Sequence, residues 1–256
     1  MKSSAVVLSL VLEAFVAGVG AFSSPAPPSP SPVLVLGSTG KVGRLVVENL
    51  VAQKIPVRAF ARNRTKASEV LSSPTGMGGL NPWEGVEVVV GDLTSEADLS
   101  AALEGVSDVI AVSGALRFSK LSDFLPWRLL GNDPMGWCSD KTHPYFVNYL
   151  SMVTLAKVLS AKRSQQSDED GEVQVPKIVR LTGLSVGLPG TNPVSLIFNT
   201  LLSLTGKWHA RGERVLRQSG LDYTILRPGG LADGARPPGV AVQAVAVNSD
   251  GTSVPP

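Results

Sequence analysis

The stretch VLVLGSTGKVGRLVVENL, Val33 to Leu50, constrains the fold more than any other part of the chain. Val33-Leu34-Val35-Leu36 is a continuous apolar run, the pattern of a strand buried on both faces of a parallel sheet. It leads into Gly37-Ser38-Thr39-Gly40-Lys41-Val42-Gly43. Arg44 to Val51 then has helical spacing, with Leu45, Val46, Leu50 and Val51 on or near one face. Each glycine has a physical reason in a strand–turn–helix unit that binds a dinucleotide. Gly37 permits the tight turn, Gly40 lets the backbone approach a pyrophosphate, and Gly43 lets the helix pack closely on the strand. The helix N-terminus then faces the phosphates with its free amides and positive dipole end. A glycine-rich turn between core elements would explain the glycines but not their spacing. The expected cofactor contacts here are Gly37, Ser38, Thr39, Gly40, Lys41, Val42 and Gly43.

The second strand, Pro56 to Ala61, arrives on schedule. An acid near its end would take the ribose 2′-hydroxyl of NAD, and none is present. From Lys54 to Lys66 the chain reads KIPVRAFARNRTK, five basic residues and no acid. A 2′-phosphate is repelled by an acid and held by an arginine through charge-assisted contacts. Arg62, just beyond the strand, and Lys66, one turn later, therefore point to NADP (NADPH) rather than NAD. Arg58 alternates inside the strand and reads as structural, and Arg64 as a solvated charge. The third strand, Val86 to Val90, leads to Asp92 and Leu93. In this fold class that end lies beside the adenine, where Asp92 can accept from the amino group and Leu93 can lie against the ring. Asp92 or Thr94 is also a candidate cap for a helix over Ser95 to Leu103. The fourth strand, Asp108 to Val112, ends at Ser113 and Gly114, where a glycine lets backbone pass close to the nicotinamide side.

Composition narrows the alternatives. With 256 residues the chain is long enough to bury one sizeable core. Lys+Arg is 23 against 21 Asp+Glu, too balanced for a dedicated nucleic-acid binder. One cysteine, Cys138, excludes an intrachain disulfide framework, and with only two histidines no Cys/His metal site is expected.

Residues 1–32 read as a targeting presequence rather than fold. Lys2 precedes an apolar stretch, Ala5 to Val19, that ends in small residues. The stretch is too short to span a bilayer, which takes roughly 20 residues, so no integral membrane segment is expected in the mature chain. Phe22 follows, then a Ser/Pro tract from Ser23 to Pro32 that cannot build a core and reads as an extended tether. The layout GVGA–FSSP resembles the bipartite plastid presequence of algae with secondary plastids. That resemblance implies a plastid protein, with ordinary secretion as the alternative. Residues 33–256 are then the NAD(P)-binding domain, with an insertion over 116–144.

The segments VLVLGSTGKVGRLVVENL, VRAFARN, VEVVVGDLTSEADLSAALEGVSDVIAVSGA and SGLDYTILRPGGLADG resemble the atypical short-chain dehydrogenase/reductase family. They are most similar to its NmrA-like, biliverdin-reductase-B-like and plastid NAD(P)-binding members, from about Val33 to Asp233. The resemblance implies an α/β fold, a doubly wound parallel (Rossmann) sheet with strand order 3-2-1-4-5-6 and the cofactor across the carboxyl ends of the strands. It adds Thr182, at the end of the fifth strand, and Pro228-Gly229, beside the nicotinamide, to the expected cofactor contacts. It also supports Arg62, Asp92-Leu93 and Ser113-Gly114.

The chain departs from the family at the chemistry. The classical pair is a Tyr with a Lys four residues on, the Lys lowering the pKa of the proton-donating phenol. None of Tyr145, Tyr149 and Tyr223 has that lysine. Hydride transfer to a flavin, quinone or pigment needs little help from protein acids, because the cofactor carries the chemistry. Catalytic residues are therefore unknown, with Tyr149, Lys157, Lys207 and His209 as weak candidates. Lys157 also reads as a plain surface lysine. The insertion carries Trp127, Trp137, Cys138, Asp140 and His143, either a flat apolar pocket wall or a packed surface loop. His143 before Pro144 reads as a turn residue and Cys138 as inert. A helix is expected over Tyr145 to Lys162, and a broken helix over Asn192 to Gly220 with its break at Thr205-Gly206. The substrate region after Leu231 is expected to be curtailed. The chain thus reads as an NADP(H)-binding oxidoreductase acting on a small conjugated acceptor, with a small-molecule substrate or redox protein partner and no nucleic acid. The alternative is a non-catalytic NADP(H)-sensing or scaffold protein.

Overall fold

A computed structural model describes residues 31–72, 86–120, 140–166, 175–189 and 191–228. The expectations for the presequence up to residue 30, for Trp127, Trp137, Cys138 and Gly229, and for the substrate region after Leu231 lie outside the described residues.

β1 (Val33–Leu36) forms where the apolar run requires it, and all four side chains are buried. Alternation sends Val33 and Val35 to one face and Leu34 and Leu36 to the other. The first face packs on Val46, Val47 and Leu50 of α1 (Lys41–Ala52) and on Ala67 and Leu71 of α2 (Arg64–Ser72). The second packs on Leu99 of α3 (Glu96–Ala102), on Met152, Leu155 and Leu159 of α4 (Ser151–Gln166), and on Leu216 of α6 (Thr205–Gln218). Helices therefore cover both faces of the sheet. Each fully buried leucine in such a layer contributes about 2 kcal/mol relative to exposure. The inward face of α1 centres on Val46, Val47 and Leu50, with Leu45 only partly buried, so the apolar stripe is rotated from the expected one.

β2 (Val57–Ala61), β3 (Val86–Val90), β4 (Asp108–Ala111), β5 (Lys177–Leu181) and β6 (Tyr223–Leu226) complete a six-stranded sheet in the order β3-β2-β1-β4-β5-β6. Every pairing is parallel, with Leu34 opposite Arg58 on one side and Val109 on the other. This is the doubly wound Rossmann sheet and strand order that the sequence implies. Crossing outward from β1 to β2 in one direction and to β4 in the other leaves a crevice at the carboxyl ends of β1 and β4, where such sheets bind ligands.

Three local departures have clear causes. The cap of α3 is Ser95, whose hydroxyl accepts from the Asp98 amide, while the Asp92 carboxylate accepts from the amide and hydroxyl of Thr94 instead. The helix expected from Tyr145 begins as a π-helical segment, Tyr145–Leu150, before continuing as α4. The broken helix divides into α5 (Pro193–Leu201) and α6, and the break is at Ser203 and Leu204, both at positive φ, so Thr205-Gly206 opens α6.

Arg58 is structural. It pairs with Glu87 of β3 at 2.7 Å and donates to the carbonyls of Ala102 and Glu104 at 2.9 and 2.6 Å, tying off α3. Gly212 sets the distance of α6 from the π-helical segment, since a methyl group there would stand 2.3 Å from the Asn148 carbonyl oxygen. Backbone cannot yield as a flexible side chain does. Gly212→Ala is therefore expected to lower stability by about 1–3 kcal/mol. Urea denaturation checks this, and an unchanged midpoint would show that the helix shifts without cost.

Candidate functional site

The glycine turn has the tightness that the spacing implies. Gly37 sits at φ +89°, and a side chain on it would come within 2.7 Å of the Ser113 backbone, so the turn after β1 touches the turn after β4. A methyl on Gly43 would stand 2.0 Å from the Gly37 carbonyl oxygen, and one on Gly40 would stand 3.3 Å from it. Gly40 is the N-cap of α1 and supplies no capping side chain, while its amide donates to the Gly37 carbonyl at 3.0 Å. The first turn of α1 thus carries backbone amides with no capping side chain, which is what a pyrophosphate needs. Ser38 is fully buried and its hydroxyl donates to the Phe60 carbonyl at 3.0 Å, so its side chain anchors the turn to β2. Thr39 and Val42 are partly buried, and Lys41 is exposed.

Arg62 and Lys66 are exposed where β2 ends and α2 begins. The Asn63 side chain accepts from the Lys66 amide at 3.0 Å and starts that helix, and no acid lies in its first turn. Asp92 sits at the end of β3. Burial works to raise its carboxyl pKa, but the Thr94 hydroxyl and amide, Lys141 and Arg62 together hold it below the ordinary value. It is therefore an anionic acceptor at neutral pH, 3.8 Å from the Lys141 ammonium. Leu93 is partly buried behind it. The glycine turn, the basic strand end and the Asp92 acceptor thus lie along the carboxyl ends of β1, β2 and β3, and they fit a dinucleotide.

A second group of side chains joins the ends of β4, β5 and β6 to α6. Arg180, 1% exposed near the carboxyl end of β5, donates to the Ser113 carbonyl at 2.8 Å and the Ser113 hydroxyl at 3.2 Å. Its other terminal nitrogen lies 3.4 Å from His209 Nδ1. Burial pushes the guanidinium pKa down to about 10, and Glu213 partly offsets this. Glu213 is 2% exposed, forks onto Arg227 through both carboxylate oxygens, and accepts from the Thr182 hydroxyl at 2.7 Å. Its hydrogen bond raises the Arg227 pKa against the opposing effect of burial. Pro228 follows directly and is partly buried. Ser113 and Thr182 therefore commit their side chains to this network, and Gly114 remains exposed above it.

The weak candidates divide. His209 is within this network. Lys207 stands 5.2 Å over the Trp208 ring, with its pKa lowered first by burial and then by Arg211. Tyr149 stacks on Trp208 at 5.9 Å, in an aromatic group with Tyr145 and Phe146. Lys157 is apart from them, exposed on α4 and paired with Glu96 at 2.6 Å. His143 is buried in its turn, where Nδ1 accepts from the Tyr145 amide at 3.0 Å.

Sequence reasoning missed Arg180, Glu213, Arg227 and Asn148 as organisers of the site. Asn148 is fully buried, accepts from the Ala115 amide at 2.9 Å and donates to the Thr205 hydroxyl at 3.1 Å. A carboxylate at that position could accept from the amide but could not donate to Thr205. The available signal was an arginine inside the apolar strand KIVRL, since a buried charge requires partners.

Comparison with known proteins agrees with this geometry. The pattern of a family described as NAD(P)H-binding matches residues 37–256. The chloroplastic protein TIC 62 of Arabidopsis thaliana is 28% identical over 207 residues, which cover 78% of this chain and 27% of that protein. An NAD(P)H azoreductase of Xenophilus azovorans is 24% identical over 197 residues, 77% of this chain and 47% of the relative. The chain spans less than half the length of either. A short-chain dehydrogenase from Streptomyces avermitilis has the same fold, with a TM-score of 0.51 at 13% identity over 79% of this chain and 66% of that one. Among the described residues no helix is long and apolar enough to cross a membrane.

His209 yields a signed pH dependence. Burial, and then the charge of Arg180, push its pKa from 6.5 down to about 3. Between these values the unfolded chain binds a proton that the folded chain refuses, so this residue's contribution to stability falls as pH falls through that window. Denaturation of wild type and His209→Gln at about pH 7.5 and pH 5 should show wild type losing stability relative to the variant at the lower pH. A constant difference would contradict a neutral imidazole.

Proposed function

The chain belongs to the NAD(P)H-binding family of atypical short-chain dehydrogenase-like proteins, and on that premise we propose that it is an NADP(H)-dependent oxidoreductase of a small conjugated acceptor. The observation that carries the reading is the tight turn of Gly37, Gly40 and Gly43 leading into the uncapped N-terminus of α1, with Arg62 exposed at the end of the neighbouring β2. When bound, the cofactor supplies a hydride at the nicotinamide. In this reading the α1 amides hold the pyrophosphate and Arg62, with Lys66 beside it, takes the 2′-phosphate. Asp92 accepts from the adenine amino group, with Leu93 against the ring. The turn at Ser113-Gly114 and Pro228 flank the nicotinamide, oriented from below by Arg180 and Glu213.

The azoreductase relative supports a conjugated acceptor, and the absence of a Tyr-x-x-x-Lys pair favours one that needs no phenolic proton donor. The chloroplastic relative and the layout of residues 1–32 support a plastid location. A second reading, non-catalytic NADP(H) sensing, is favoured by the missing pair. NADPH oxidation with an azo dye and a quinone separates the two, since tight NADPH binding without turnover fits sensing alone.

Arg62→Ala tests the cofactor preference. Losing the charge-assisted contacts to a 2′-phosphate should weaken NADPH about tenfold or more while leaving NADH nearly unchanged. Calorimetric titration of both cofactors checks this, and equal losses would refute the role of Arg62.

A further inference from the structure

We propose that His209 is a fixed hydrogen-bond donor, through Nε2–H, to an uncharged carbonyl oxygen bound at the opening beside Gly114. The oxygen belongs either to a carbonyl-bearing acceptor, such as a quinone, or to the carboxamide of a nicotinamide. The proposal rests on the cofactor reading above and deepens it by naming the chemistry of the ligand.

Arg180 sets the tautomer of the ring. A guanidinium has donors and no acceptor, so the imidazole nitrogen that faces it must offer a lone pair. That nitrogen is Nδ1, at 3.4 Å. Arg180 has no freedom to turn away. Its opposite terminal nitrogen is held by the carbonyls of Ser113 and Ala111, at 2.8 and 3.4 Å, and by the Ser113 hydroxyl. A neutral imidazole carries one N–H, and with Nδ1 accepting it must be on Nε2.

The charged form is disfavoured by the surroundings. Arg180 faces the ring from β5, and the nearby acid, Glu213, is engaged by Arg227, Arg217 and Thr182. Lys207 and Arg211, on the same helix, both stand over Trp208. Burial and Arg180 together keep the ring unprotonated.

The free edge of the ring lies at the switch point of the sheet. A methyl on Gly114 would stand 3.9 and 4.0 Å from His209 Cε1 and Nε2. Gly114 is exposed and follows Ser113, whose backbone is the one that Gly37 touches. Among the described residues Nε2 has no hydrogen-bond partner. The donor is therefore aimed at the place where the glycine turn, β4 and α6 converge. Because its tautomer is fixed, it pairs with a carbonyl and rejects an ammonium at that spot. It donates the bond and keeps the proton.

Nitrogen-15 NMR of the histidine rings in the full-length protein tests this. The chain has two histidines, His143 and His209, and His209→Gln assigns their signals. At neutral pH His209 should show protonated Nε2 and unprotonated Nδ1. Addition of NADP+, and then of 1,4-naphthoquinone, should move the Nε2 proton downfield. Movement with NADP+ alone identifies the carboxamide as the partner, and movement only with the quinone identifies the acceptor. In parallel, His209→Leu should weaken binding of that same probe about tenfold, the loss of one hydrogen bond. His209→Gln, which keeps an amide donor, should recover most of it. A proton on Nδ1, an imidazolium, or equal probe binding by wild type and His209→Leu would overturn the proposal. Failure of wild type to bind NADP+ in a calorimeter would refute the cofactor reading separately, and the His209 tautomer and the quinone response would still decide the donor.

Discussion

The Gly37 carbonyl occupies the space that a side chain at position 43 would need, and the rest of the site follows from that contact. It brings the N-terminus of α1 against the end of β1. Gly37 in turn lies against the Ser113 backbone, which fixes the end of β4 beside the end of β1. Ser113 is then gripped by Arg180 from β5, and Arg180 faces His209 on α6. One line of close contacts therefore crosses the carboxyl ends of three strands and reaches a helix on the second face of the sheet. A side chain at Gly37 or Gly43 would break it at its start.

The far end of that line depends on charge rather than on close backbone packing. Burying Arg180 and Glu213 removes hydration worth several kcal/mol per ion, which pairing and hydrogen bonds must offset. The offset is well distributed. Arg180 donates to the carbonyls of Ala111 and Ser113 and faces His209, and Glu213 accepts from Arg227 and the Thr182 hydroxyl and pairs with Arg217. The i,i+4 spacing of His209 and Glu213 puts both on the sheet-facing side of α6. Lys207 and Arg211, offset by two positions, turn instead to the aromatic group around Trp208. One helix thus serves two environments, and Gly212 lets it approach the π-helical segment closely enough to do so.

The strand, glycine turn and helix that open the fold were legible in the sequence because their determinants are local. An apolar run, three spaced glycines and a helical pattern fall within eighteen residues, and each acts on its immediate neighbours. The strand order came with the family resemblance, and the expectations for Asp92 and Arg62 came from both that and the local sequence. The contacts around Arg180 and Asn148 were not legible, because they join residues far apart in the chain. Arg180 meets Ser113 across 67 residues, and Asn148 meets Ala115 across 33 and Thr205 across 57. Nothing near Arg180 in the sequence names Ser113 as its partner. The small errors have the same origin. Ser95 took the cap from Asp92 and Thr94 because those two satisfy each other, and the break before α6 fell on two residues with no glycine to mark it.

The central claim is that the glycine cradle and Arg62 together make an NADP(H) site. Calorimetric titration of the unmodified protein with NADP+ and with NAD+ at equal ionic strength tests it most directly. One site is expected, with NADP+ bound at least about tenfold more tightly, the contribution of charge-assisted contacts to the extra phosphate. Equal affinity for the two, or no binding of either, would contradict it.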